Sequence, residues 1–271
     1  MQSSNPVFRR AAGFNGRSTT TYGDPMYAGG GPASSTYATP GIMPTAGRMT
    51  IDSVVQKTAI TLGVLMITSA ITWVMTGPIT DTSIGTLYTL TLVGAFGGFG
   101  LAMVNSFKRV VSPALVIAYA ALEGLAIGAM SKVFEAMYPG VVMQAVIGTF
   151  AAFIGTLAAY KFFNIQVSDR MRKFTIAAMF GFVGVVFLDM ILAFFGSSLG
   201  VNGFGPVGLI FSLLGLAIGI FMLLLDFDMV EKGVAAEMPE RESWRAAFGL
   251  TVTLVWLYIE ILRILAILRG N

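Results

Sequence analysis

Carboxylates stand inside or at the edge of strongly apolar runs at Glu123, Asp189, Asp226, Asp228 and Glu260. An acid at the centre of a bilayer-spanning helix costs about 2.5–3.5 kcal/mol on insertion scales, so each needs a partner or a use. The use would be an ion or proton path. The structural alternative is an interhelical hydrogen bond or a pairing with a cation. Acids on four separate spans favour a polar functional core. The sharpest case is FMLLLDFDMV (221–230), where an apolar run ends in two aspartates. Asp228 lies roughly 200° round a helix from Asp226, so only one of them can point straight into a bundle. Asp226 follows the apolar run directly and is the expected inward residue, at the cytoplasmic end of its span. Asp228 is expected to be a helix-end residue facing water or headgroups. Glu123 falls near mid-membrane. Asp189 falls toward the outer half, as a vestibule acid or a plain polar contact.

The second acid of interest closes the chain, in LVWLYIEILRILAILR (254–269). Glu260 and Arg263 are spaced i, i+3 and can pair on one helix face. The functional reading instead joins Glu260 to Asp226. Two carboxylates sharing a site repel when both are ionised, so the pair keeps a proton. Protonation, or a cation such as Ca²⁺ with its preference for oxygen ligands, relieves that repulsion. Asp226 and Glu260 are therefore a candidate pH-sensitive gate and a candidate Ca²⁺ site, with Asp228, Arg263, Glu123 and Asp189 in supporting positions. If the last helix enters the membrane at Ala246, Glu260 lies roughly 21 Å deep, too far from Asp226. If the membrane part begins near Val252, the depth is roughly 12 Å and the two meet. The second geometry is adopted, with SWRAAFG (243–249) as an interfacial or packed segment.

The absence of histidine and cysteine narrows the chemistry. The usual general base, the usual pH switch, disulfides and thiolate metal sites are all excluded. A rhomboid-type dyad and a His-Glu-x-x-His zinc site both need histidine. No aspartate sits in a Gly-x-Gly-Asp motif, and no lysine lies within the last span for a retinal. An enzyme is not expected, nor any cofactor beyond Ca²⁺ as a transported or bound ion. The net charge of +3 is small and spread over loops, so no nucleic-acid partner is expected.

The elements that must carry these acids are membrane helices. Of the 271 residues 55% are hydrophobic and 11% charged, where a soluble domain carries about a quarter charged; mean hydropathy is +0.78. Residues 1–50 are rich in Gly, Ser, Thr, Pro and Ala and read as a disordered cytoplasmic tail, with no cleaved signal peptide. Residues 51–271 hold seven apolar runs long enough to span, at 58–76, 83–104, 112–135, 141–162, 174–195, 206–226 and 246–268. Cations gather before the first run (Arg9, Arg10, Arg17, Arg48, Lys57) and in alternate loops (Lys108, Arg109; Arg170, Arg172, Lys173; Lys232, Arg241, Arg245). The opposite loops carry only Lys132. The N-terminus is then inside. The C-terminus is outside if the last run crosses, and inside if it is re-entrant. Small residues at helical spacing (Gly94 and Gly98, Gly124 and Gly128, Gly215 and Gly219) are expected to serve helix packing.

Three stretches together resemble the Bax inhibitor-type transmembrane family, the TMBIM proteins and their bacterial YccA-like relatives. They are LLLDFDMVEKG, with Asp226 and Val230; LYIEILRILAILR, with Leu257, Tyr258, Ile259 and Glu260; and AALEGLAIGAMS (120–131). The likeness covers about residues 51–271, and the Gly/Ser-rich tail is similar to an actinobacterial subgroup. It implies an all-α membrane protein, a seven-transmembrane helix bundle with the last helix central, in a bacterial inner membrane. It also implies a pH-sensitive Ca²⁺ leak governed by a carboxylate pair. Some relatives are instead associated with the membrane protease FtsH, so a regulatory partner of such a protease, or a stress-response protein without transport, is the alternative. Glu260 stands where the family usually has aspartate, the stretch between Asp226 and Glu260 is longer than usual, and the second span lacks an arginine that some members have.

Overall fold

A computed structural model of the chain describes residues 47–270. These form seven helices: α1 (Ile51–Met75), α2 (Asp81–Phe107), α3 (Pro113–Met137), α4 (Val141–Phe162), α5 (Asp169–Phe194), α6 (Pro206–Ala235) and α7 (Glu242–Gly270). All seven are long and apolar enough to cross a membrane. The fold is the expected all-α bundle.

Local chemistry sets the helix starts. Thr50 with Ser53 and Thr80 with Ser83 form reciprocal capping boxes on α1 and α2. Pro113 and Pro206 open α3 and α6, where a missing N–H costs nothing. The entry to α4 is different. Gly140 stands there at φ 84°, and Glu135 of the preceding helix accepts from the N–H groups of Gly140 (2.5 Å) and Val142 (3.1 Å). That carboxylate does the work a capping side chain would do.

The bonds of α7 establish that it crosses the whole bundle. Near its start, Ser243 Oγ lies 2.6 Å from Ser53 Oγ of α1, and Arg245 donates to the Arg109 carbonyl of the α2–α3 loop. Near its end, Arg263 donates to the Val201 and Gly203 carbonyls of the α5–α6 loop, and Arg269 to the Pro139 carbonyl of the α3–α4 loop. The last helix is therefore continuous rather than re-entrant, and the chain ends on the side opposite residue 47. Of the apolar window in α7, 61% is buried, against 11% in α5. It packs against α1, α3, α4 and α6, whereas the backbone of α2 approaches α3 alone and that of α5 approaches α6 alone. The central position of the last helix follows.

Most of the expected tail lies outside the described residues. Residues 47–50, assigned to it from composition, are instead docked. Met49 is buried in the cluster with Val54, Phe227 and Leu250, and its N–H donates to Met238 O. Arg48 pairs with Glu237, and Lys57 with Glu240. The α6–α7 loop thus holds the chain just before α1.

Candidate functional site

One face of α7 carries Gly249, Thr253, Trp256 and Glu260, spaced at i, i+4, i+7 and i+11, which is one stripe of a helix. Each member meets α6. Thr253 Oγ1 donates to Asp226 Oδ2 at 2.6 Å, and Gly249 leaves room beside Asp226 Oδ1. Trp256 Nε1 donates to the Gly215 carbonyl at 2.9 Å. The Glu260 carboxylate packs directly on Gly215. A Cβ at that glycine would stand 2.6 Å from Glu260 Oε1 and 2.8 Å from Phe182 Cζ, so any larger residue must push both side chains aside. Phe182 of α5, stacked on Phe211 and tilted against Trp256, closes this end of the seam.

Asp226 and Glu260 are both buried, at 8% and 7% exposure, but they differ in what they bond. Asp226 is held by Thr253. The Glu260 carboxylate is buried beside the Ser212 hydroxyl, and among the described residues no backbone donor or cation bonds it. The two acids are also not at one level. Thr253, which holds Asp226, precedes Glu260 by about 10 Å of rise along α7, and Gly215, which faces Glu260, precedes Asp226 by about 16 Å along α6. The structure does not bring them into a shared pair. The physical reason is helix continuity. α6 runs past Asp226 to Ala235 and α7 is helical from Glu242, so 243–249 is packed helix and the Thr253–Asp226 bond fixes the register. Asp226 accordingly sits about 13 Å inside the end of α6 rather than at it.

Asp228 is not a solvated helix end. It is 5% exposed and accepts from Arg172 Nη2 of α5 (3.0 Å) and Lys232 Nζ (2.8 Å). The 200° offset from Asp226 holds, but the far face meets α5 and its cation instead of water. Glu123 lies at the α2–α3 contact, its Oε2 against Gly98.

Asp189 is a plain polar contact. It accepts from Ser198 Oγ (2.9 Å), Leu199 N (2.6 Å) and Asn202 N (3.0 Å), folding the α5–α6 loop onto α5. Arg263 grips the same loop through its carbonyls and forms no ion pair with Glu260 among the described residues. Asp189→Ala is expected to lower the thermal midpoint of the purified protein, because two backbone donors lose their acceptor. Cation flux through the protein that stays folded should not change.

Sequence reasoning missed Thr253 and read Gly215 only as a helix-packing glycine. The signal for Thr253 was the heptad-like stripe that ends at Glu260. Among the described residues no group of three or more histidine, cysteine, aspartate or glutamate side chains converges as a metal site, and Ca²⁺ takes about 6–8 oxygen ligands. Asp226 with Thr253, and Glu260 with Ser212, are each too sparse for a closed cage. Either would suit a passing cation or a proton.

The family model described as Bax inhibitor 1 like matches residues 5–270. None of the curated proteins compared with the chain matches it.

Proposed function

The chain belongs to the Bax inhibitor 1 like family, and from that premise we propose a pH-sensitive cation leak, with Ca²⁺ as the ion, in a bacterial inner membrane. Asp226 and Glu260 act as successive stations along the α6–α7 seam rather than as two halves of one latch. The observation that carries this reading is the buried Glu260 carboxylate, which has no ion pair among the described residues, on the same stripe that holds Asp226. A buried acid left unpaired costs stability, and such acids in membrane helices mark ion and proton pathways. Charge placement supports a cytoplasmic N-terminus. Arg48, Lys57, Lys108, Arg109, Arg172, Lys232, Arg241 and Arg245 gather at one end of the bundle.

Ca²⁺ flux into dye-loaded proteoliposomes, measured across pH, tests the proposal. Asp226→Asn keeps an acceptor for Thr253 and loses only the charge. It is expected to slow flux by about tenfold, the change that ~1.4 kcal/mol of lost attraction produces. Unchanged flux in this variant removes Asp226 from the path. Wild-type protein that passes no cation at any pH favours the other reading, a regulatory partner of a membrane protease.

A further inference from the structure

Beside the central helix, the bundle leaves a slot. Both α1 and α4 pack on α7 but not on each other, and between them lies a cavity of about 400 Å³. Its walls are Met66 and Val74 on α1 with Val142 and Phe150 on α4, and its floor is Leu254 and Val255 of α7. Its lining runs along α1 from Leu62 to Val74, a rise of about 18 Å. One leaflet of a bilayer is about 15 Å of hydrocarbon. The slot therefore spans one leaflet, the one on the side of the α1–α2 and α3–α4 loops.

We propose that this slot holds one lipid acyl chain as a resident structural ligand. Dimensions and chemistry select that occupant. The slot is long and narrow, about 400 Å³ over a rise of about 18 Å, a shape that a single extended hydrocarbon chain suits. The lining hydroxyls make no demand on an occupant. Ser69 donates to Gly124 O (2.9 Å), Thr149 to Ala145 O (2.8 Å), and Ser131 and Tyr258 bond each other at 2.6 Å. A polar ligand would be stripped of water there with nothing to bond. Trp73 lines the slot near its loop-side end, beside the Lys132 contacts at the end of α1, which suits the headgroup level. The chain would brace the 254–258 stretch of α7, between Thr253 and Glu260. The inference does not depend on transport.

The test is native mass spectrometry of the full chain in mild detergent with added phosphatidylglycerol carrying 16- and 18-carbon chains. The wild type is expected to retain one lipid adduct per chain. Ala70→Trp, which projects an indole into the slot from an exposed position on α1, is expected to reduce adduct occupancy at least tenfold. Val146→Phe fills the slot from the α4 wall and serves if the first variant melts early. Leu92→Trp, on the exposed face of α2, is expected to keep the adduct. The proposal is overturned if the wild type carries no adduct, if the slot variants retain it, or if Leu92→Trp loses it as well. A dimer mass that Ala70→Trp abolishes would overturn it in favour of a second copy of the chain.

Discussion

Replacing Glu260 with glutamine is expected to remove the part of the pH-dependent rise in cation flux that Glu260 supplies and to leave the part that Asp226 supplies. An ionised carboxylate attracts a cation and a protonated one does not. Flux through a path that uses Glu260 therefore rises as pH rises and the proton leaves. Glutamine has the shape of the protonated acid and cannot ionise, so that share of the rise disappears. The effect at high pH is expected to be about tenfold, or ~1.4 kcal/mol. The fold should survive, because the buried Ser212 hydroxyl near the carboxyl can bond the new amide. A Glu260→Gln protein with the wild-type pH profile would sink the assignment. Combining it with Asp226→Asn separates two stations from one latch. Sites more than about 7–10 Å apart add within about 0.3–0.5 kcal/mol, while groups in contact couple by about 0.5–3 kcal/mol. With the acids at separate levels on α6 and α7, the double variant is expected to show additive losses. Strong coupling would mean that the two acids meet in the conducting state.

Apolar length and loop punctuation made the seven helices readable before any coordinates. The boundaries of α4 were read correctly, and Pro113 and Pro206 marked the starts of α3 and α6. The end of α6 and the start of α7 were less legible, because Asp226, Asp228 and Glu231 make the run after Leu225 look like a loop. Backbone hydrogen bonding continues through them since Asp228 finds Arg172 and Lys232, and Glu231 accepts from Tyr160 at 2.5 Å. Those partners sit on other helices or a turn away, where no local pattern points. The same limit applied to Arg263. Its i, i+3 spacing to Glu260 permits a pair, but carbonyls of the α5–α6 loop compete for the guanidinium and win. That competition leaves Glu260 without an ion pair, and this is what makes it a candidate for function. Spacing can state which contacts are allowed; the tertiary alternatives decide between them.

Lys132 carries the same lesson in the other direction. Counted as a loop charge, it is the exception on the side of the bundle where the loops are otherwise free of cations. In the structure it lies within α3, 8% exposed, and its ammonium donates to the Trp73 carbonyl (2.6 Å), Thr76 Oγ1 (2.8 Å) and the Gly77 carbonyl. These are the acceptors at the C-terminal end of α1, where a helix carries partial negative charge and unpaired carbonyls. Gly77, at φ 60°, turns the chain there so that its carbonyl faces the ammonium. The lysine is therefore a tertiary cap. Lys132→Met keeps the length and apolar stem but removes every donor. Three hydrogen bonds to a charged group, at about 1.5–3 kcal/mol each, are lost, and relief from burying the cation offsets much of that, so the net loss is expected to be about 2–3 kcal/mol. A lowered thermal midpoint in detergent would report it. Arg269→Met, which removes an exposed contact to the Pro139 carbonyl, is expected to change stability by less than about 0.5 kcal/mol. Equal midpoints for the two variants would return Lys132 to the role of a surface charge, and α1 would then need another stop than the one built by α3.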